Sequence, residues 1–346
     1  MFKLLITSSS GTVNATNLVR SITWSGDYQQ CSRTLEFELI SSSTDKNIPV
    51  IKCELGYGVT LMLENRTLFD GYIFERQKDT GSSIINITCY DRGIYLKRNE
   101  KSYKFINMTP EDIVRRIGAD FNIPLGDIAA TGIKIKRNFI GTNLYNIIQT
   151  AYSLASDKNN KKYMVRFNGQ KLNVIEKKAN DETLVIQGGS NLMSASTSES
   201  ITNMINQVAI YNLKDQLVST QKDENSIKSY GLFQSYLKQA KGENAIPKAK
   251  KIISDNGIIQ KITIENLGNI ANITGNTVVV KEPYTGLYGL FYIDSDIHTW
   301  KNGQYYNKLV INFKNIMDEQ EAGSLPNKDG SKTGGTWEYL YKPGDE

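Results

Sequence analysis

The chain has 346 residues, 39% hydrophobic and 22% charged, a composition that supports sizeable cores and excludes wholesale disorder. Its 41 basic and 36 acidic residues leave a formal net charge of +5, too mild and too dispersed to imply nucleic acid. Cys31, Cys53 and Cys89 form no C-x-x-C pair, which argues against a disulfide framework or zinc site and fits synthesis in a reducing cytoplasm.

Nineteen tyrosines, 27 glycines and many Thr/Ile/Val runs favour strands and tight turns. The apolar run Met1–Ile6 is too short for a signal peptide, and no stretch approaches the length of a membrane span. Leu35, Phe37 and Leu39 alternate with Thr34, Glu36 and Glu38, as a half-buried strand requires. Val59, Leu61 and Leu63 repeat the pattern and end in a polar turn at Glu64-Asn65-Arg66. Leu68–Phe74 follows as a strand carrying Gly71, where a bulge or close backbone approach is expected. A polar loop, Gln77–Ser83, leads to the strand Ile84–Tyr90, whose inward set Ile85, Ile87, Cys89 makes Cys89 a buried free thiol. The sequons at Asn65 and Asn86 read as chance, since Asn86 falls inside that strand.

Character changes near Asn99. Thr109-Pro110-Glu111-Asp112 combines a cap, a first-turn proline and acids, and predicts a helix with Ile113, Val114, Ile117 and Phe121 on its apolar face. A second helix is expected over about Asn143–Ala155. Tyr163–Phe167, Asn168-Gly169 and Lys171–Ile175 read as a hairpin with a type I′ turn. The lysines at 158, 161 and 162, and at 248, 250 and 251, read as solvated faces or helix ends. Gln187-Gly188-Gly189-Ser190 and the Ser/Thr-rich run to Ser200 mark a boundary. Beyond it a strand over Gln207–Asn212, a helix over Ala245–Ser254, and strands from Ile258, over Thr277–Val280, Leu290–Asp294 and Lys308–Phe313 are expected. After Asp318 the composition is that of an extended tail, in which Trp337, Tyr339 and Tyr341 are the candidate partner-binding residues.

One layout occurs twice. Strand, turn, glycine-bearing strand, polar loop and strand run through Val59–Asp91 around Gly71, and again through Thr277–Phe313 around Gly289. Any two β-meanders would share this layout; the sharper reading is a duplicated barrel. The expected fold is therefore α+β, predominantly β: β-barrels at 1–98 and 187–319, a small α/β module at 99–186 between them, and a C-terminal tail at 320–346.

Four stretches carry a family resemblance: "YDRGIYLKRNEKSYKF" with "TPEDIVRRIGADFNIPLG", "ITNMINQVAIYN", "NIANITGNTVVVKEP", and "TGLYGLFYIDSDIHTWKNGQYYNKLVINF". In this order they resemble the XkdQ/YqbQ-type hub proteins of contractile phage tails and R-type bacteriocins, within the phage tail hub and VgrG-like superfamily. The resemblance reaches from Tyr90 to Phe313. It implies a homotrimeric structural hub of the baseplate with two tube-like β-barrels per chain, with the tail tube or a tube-initiating protein above and the spike and other baseplate proteins below. Such a protein is made in the bacterial cytoplasm and ends in the assembled particle. The competing class is a cell-surface or carbohydrate-binding module.

Chemistry leaves little trace. The one histidine, His298, falls in a polar stretch, Asp294–Gly303, that reads as a hairpin end, so a structural or exposed role is expected. Asp294 and Asp296 lack a third metal ligand. Ser235-Tyr-Leu-Lys238, Ser254-Asp-Asn256 and Lys332-Thr-Gly334 reproduce the motifs of penicillin-binding enzymes in order, but without the helical domain between the first two or a strand for the third. No catalytic residue, metal site, cofactor, stable nucleic acid contact or membrane insertion is expected.

Overall fold

A computed structural model describes residues 2–42, 45–180, 183–240, 242 and 244–326. The chain opens with seven strands: β1 (Phe2–Ser8), β2 (Gly11–Asn14), β3 (Val19–Asp27), β4 (Thr34–Ile40), β5 (Gly58–Leu63), β6 (Arg66–Lys78) and β7 (Ile84–Asp91). Alternation sets their faces. Leu35, Phe37 and Leu39 are buried, and Leu4, Leu61, Ile73, Ile87 and Cys89 meet them in one core. The β5–β6 turn places Glu64 and Asn65 at φ 48° and 70°, the two left-handed positions of a type I′ turn. At Gly71 an added Cβ would lie 2.4 Å from the Tyr90 carbonyl oxygen, so the close approach expected there is present.

A central module follows: α1 (Gly93–Arg98), β8 (Glu100–Met108), α2 (Pro110–Asp120), β9 (Leu125–Ile128), β10 (Ile135–Asn143), α3 (Leu144–Asn159), β11 (Lys162–Asn168) and β12 (Lys171–Lys177). Thr109 caps α2 as expected, accepting from the Asp112 amide at 3.3 Å, and Asn143 caps α3 at 2.8 Å. The helices bury Ile113, Ile117, Ile147, Ile148 and Tyr152 against the β8–β10 and β9–β12 pairs. The β11–β12 hairpin forms, but Asn168 pairs with Lys171 and only Gly169 of the turn has positive φ. The turn is therefore Gly169-Gln170, not a type I′ turn at Asn168-Gly169. Residues after the second half dock here too. Met317 joins this core, Tyr145 donates to Asp318 at 2.7 Å, and the Ser324 and Asn138 backbones exchange hydrogen bonds at 2.7 and 2.8 Å.

The remainder is β13 (Leu184–Gln187), β14 (Leu192–Ser200), β15 (Gln207–Tyr211), β16 (Leu217–Lys222), α4 (Glu224–Tyr230), β17 (Gln234–Lys238), α5 (Ile246–Asp255), β18 (Ile259–Leu267), β19 (Thr277–Glu282), β20 (Leu287–Lys301) and β21 (Gln304–Asn312). The Ser/Thr-rich run expected as a boundary is strand β14. It needs no apolar alternation because it pairs only with β18 and faces solvent along most of its length. Between β14 and β18, a small sheet of β16, β15 and β17 packs Val208 and Ile210 on Ala245 and Ala249 beside α5.

One 13-stranded sheet links the two halves in the order β14-β18-β21-β20-β3-β4-β7-β6-β5-β1-β2, with β19 and β13 branching from β20. Within it one strand order appears twice. The first half runs β1-β5-β6-β7-β4-β3, and the second runs β13-β19-β20-β21-β18-β14. The repeat expected from β5–β7 and β19–β21 thus extends to six strands, with one difference: β1 is antiparallel to β5, whereas β13 is parallel to β19. The chain is predominantly β, as expected; the path is open at β14 and β2, and no closed barrel is found in it.

Candidate assembly interface

The halves join where β20 outgrows its hairpin. Its first part pairs with β19, and after a bulge between Ile293 and Ser295 its second part, Ser295–Lys301, pairs antiparallel with β3. A bulge re-aims the strand so that one edge can serve two neighbours. This stretch was expected as the end of a hairpin. The strand instead runs to Lys301, and the turn lies at Asn302-Gly303, both at positive φ.

A buried polar network fills this seam. Asp296 is fully buried and accepts from Arg33 Nη1 at 3.0 Å, from the Thr274 amide and hydroxyl at 2.6 Å each, and from Arg33 Nη2. The Arg33 guanidinium lies 3.9 Å from the Trp24 ring centroid, a cation–π contact. Gly26, directly opposite Asp296, makes this possible, because a Cβ there would stand 2.3 Å from Arg33 Nη1. Burial by itself would raise the Asp296 carboxyl; the Arg33 charge and the His298 hydrogen bond outweigh it and hold the group well below the usual carboxylate range.

His298 is also fully buried, not exposed. Burial pushes its pKa down against the opposing pull of Asp296, so the ring is neutral at pH 7. Its Nε2 lies 3.1 Å from the Asn272 carbonyl and 3.2 Å from Asp296; its Nδ1 lies 2.7 Å from the Tyr305 hydroxyl and 2.9 Å from Asn307 Nδ2. These partners assign the proton to Nε2, leaving Nδ1 to accept from Tyr305 and Asn307. Trp24 and Trp300 flank the ring at centroid distances of 4.7 and 6.1 Å. Every edge of His298 is occupied by protein, so it is a strut of the seam and not a nucleophile's base.

Two carboxylates nearby are pushed the other way. Burial raises Asp91, which accepts from the Arg33 and Gly93 amides at 3.0 and 2.8 Å, to about 6. Burial likewise raises Asp294 to about 6 and lowers its neighbour Lys177, 3.5 Å away, whose ammonium donates to the Ile316 carbonyl at 2.7 Å. Asp294 and Asp296 thus face different partners, and among the described residues no His/Cys/Asp/Glu group is arranged to hold a metal.

The remaining expected positions separate. Ser235 and Lys238 lie on β17, with Lys238 paired to Asp215 at 2.7 Å, while Ser254 lies in the last turn of α5. Lys332 lies outside the described residues, as do Trp337, Tyr339 and Tyr341. Lys158 and Lys161 are exposed at the end of α3 and before β11, Lys248, Lys250 and Lys251 are exposed within α5, and the half-buried Lys162 converges with Lys251 on Glu319 at 2.8 and 2.6 Å. The three cysteines are buried and free, and burial raises Cys31 to about 12. No helix among the described residues is long and apolar enough to cross a membrane. The Arg33–Asp296 contact gave no sequence signal, since its members lie 263 positions apart. Gly26 inside β3 is the local feature that marks this close approach.

Outside the seam, among the described residues, β14 has a partner on one side only, and the end of β6 beyond its own bulge, Glu75–Lys78, is exposed and pairs only with β7. These edges offer unpaired backbone groups for strand addition.

The YQBQ-like family model matches residues 22–312. The phage-like element PBSX protein XkdQ of Bacillus subtilis (strain 168) is 25% identical over 317 residues, covering 87% of this chain and 94% of that protein. Among solved structures, a 43 kDa tail protein of prophage MuSo2 from Shewanella oneidensis superposes with a TM-score of 0.69 at 12% identity, over 89% of this chain and 97% of that one. The E. coli c3393 protein, described as a type VI secretion component structurally similar to bacteriophage tail proteins gp27 and gp5, gives 0.51 at 10% identity, over 89% and 76%.

Proposed function

The chain belongs to the YQBQ-like family, and on that premise we propose that it is a non-enzymatic hub of a contractile phage tail or R-type bacteriocin. Three copies form a ring that joins the sixfold tail tube to the threefold spike. The observation that carries this reading is the six-strand order repeated in both halves. Two like units per chain make six in a trimer, so one ring presents sixfold spacing to the tube and threefold symmetry to the spike. The strands of the assembled ring complete two tube-like barrels per chain, at 1–98 and 187–319, with the module at 99–186 on the outside. The tail at 320–346, with Trp337, Tyr339 and Tyr341, engages baseplate partners.

The buried seam supports a mechanical role. A ring that transmits force must not part within a subunit, and the Arg33–Asp296–His298 network ties the halves across the sheet. Similarity to XkdQ, a phage-element protein, and to solved tail proteins supports the same assignment. Native mass spectrometry of the purified chain tests it. The expected result is a species of three times the 38.9 kDa monomer. A monomer that persists with concentration and with added tube protein sinks the ring.

A further inference from the structure

Around two shared bulges, the pairing alone sets the strands of one half in register with those of the other. β3 meets β4 with a bulge between Val19 and Ser21, and β14 meets β18 with one between Leu192 and Ser194. β6 meets β7 with a bulge between Ile73 and Glu75, and β20 meets β21 with one between Ile293 and Ser295. The loops beside the second pair match as well. The Gly56 amide donates to Ile73 O at 2.8 Å and the Ile73 amide to Tyr57 O at 2.9 Å. Gly275, Ile293 and Asn276 make the same two bonds at 3.0 and 2.9 Å. Gly56 and Gly275 both have positive φ, 82° and 93°. Hence Gly26 corresponds to Glu199 and Asp27 to Ser200, while Glu75 corresponds to Ser295, Arg76 to Asp296 and Lys78 to His298.

Within the chain, β20 beyond its bulge pairs with β3. Their counterparts, the end of β6 and β14, are both open edges among the described residues. We propose that Glu75–Lys78 of one copy pairs antiparallel with Thr197–Ser200 of a second copy, with Glu75 opposite Ser200, Arg76 opposite Glu199, Gln77 opposite Ser198 and Lys78 opposite Thr197. The pairing rests on the ring of three copies proposed above and supplies its contact.

Charge favours this partner. Directly opposed residues share a face and interact. In the seam, Asp296 faces Gly26, and the Arg33 guanidinium stands where a Gly26 side chain would. Between copies Arg76 takes the place of Asp296, and Glu199 supplies its own side chain where the glycine was. The ion pair recurs with its signs exchanged. Within one copy Arg76 contacts Glu54 at 2.8 Å and donates to the Cys53 carbonyl at 3.1 Å, and Glu199 accepts from Gln260 at 3.4 Å. The contact uses different edges on the two copies, so it leads to rings and not to a two-fold dimer.

Cysteine pairing tests the register. In the seam the Tyr28 amide donates to Asp294 O at 2.9 Å, so by alternation Ser25 and Ile297 form a non-hydrogen-bonded pair. Such pairs stand about 4.5 Å apart at Cα, within disulfide reach. Their counterparts are Ser198 and Gln77. The double variant Gln77→Cys/Ser198→Cys, oxidised at assembling concentration, should give reducible dimers and trimers on a non-reducing gel, and neither single variant should. The native thiols are buried and do not compete. A threefold native mass without cross-linking overturns the strand pairing and leaves the ring standing; a monomeric wild type overturns both. Charge exchange guards against a misfolded double variant. Arg76→Glu should raise the concentration of half-assembly about tenfold, and adding Glu199→Arg should restore it. Absence of both effects in a trimeric protein refutes the register.

Discussion

The two halves of the long sheet keep one strand order, two matching bulges and one matching loop, yet treat the same edge in opposite ways. β3 is half-buried, roofed by β20 and lined with Ile22 and Trp24. β14, in the same position of the second half, is Leu-Met-Ser-Ala-Ser-Thr-Ser-Glu-Ser and exposed almost throughout. An edge whose neighbour is guaranteed by the same chain can be apolar and dry. An edge whose neighbour must arrive from solution needs polar residues that keep it soluble meanwhile.

The largest test of this contrast is the seam itself. Asp296→Ala leaves the Arg33 guanidinium without its carboxylate in a nearly closed site, and should cost about 3–5 kcal/mol in urea denaturation. Replacing both members, Arg33→Met with Asp296→Leu, should recover much of that loss. If the single variant costs no more than a surface pair, the network does not tie the halves.

Aromatic and glycine positions give the next contrast. The pairing sets Gly71 against Phe291 and Phe69 against Gly289, so each half has one ring and one glycine two residues apart, in opposite order. Gly71→Ala should cost about 1–3 kcal/mol, because its Cβ meets the Tyr90 carbonyl and the Phe69 ring. Gly289→Ala has open space and only the penalty of φ 132°, so a smaller loss, about 1 kcal/mol, is expected. Equal thermal shifts would mean that the halves do not differ here.

This exchange explains what the sequence did and did not disclose. Alternating apolar residues made β4, β5 and β7 legible, and the cap at Thr109 made α2 legible. Matching Gly71 to Gly289 found the duplication but placed it two residues out, since glycine and phenylalanine exchange positions between the halves. β14 carries no apolar period and read as a linker. The seam was out of reach because Arg33, Asp296 and His298 are joined only by the folding of distant strands.

Acid titration separates two kinds of buried carboxylate. Asp91 sits at about 6 in the folded chain against 3.8 as the reference, so the native state holds its proton longer. Its contribution therefore falls as pH rises from about 4 to 6, and above that it is constant. Asp296, held low, contributes in the opposite sense, and its share is lost as pH falls below about 4. Asp91→Asn should flatten the first slope by about 1–3 kcal/mol across that window, read from urea midpoints at several pH values. A slope unchanged by the substitution would remove Asp91 as its source.

The smallest effect on folding is expected at the open edge. Arg76→Ala touches the residue that corresponds to Asp296, but here the partners are Glu54 and the Cys53 carbonyl, and the Arg76 and Glu54 side chains are a third to a half exposed. The isolated chain should lose about 0–1 kcal/mol. The same substitution should weaken assembly, because the interchain pair loses its cation while the strand's backbone bonds remain. The two positions are equivalent in the fold, and on the proposed pairing they differ in when their partner arrives, one during folding and the other during assembly. A large folding penalty for Arg76→Ala, or assembly indifferent to it, would mean that the matched bulges record ancestry and no longer a shared use.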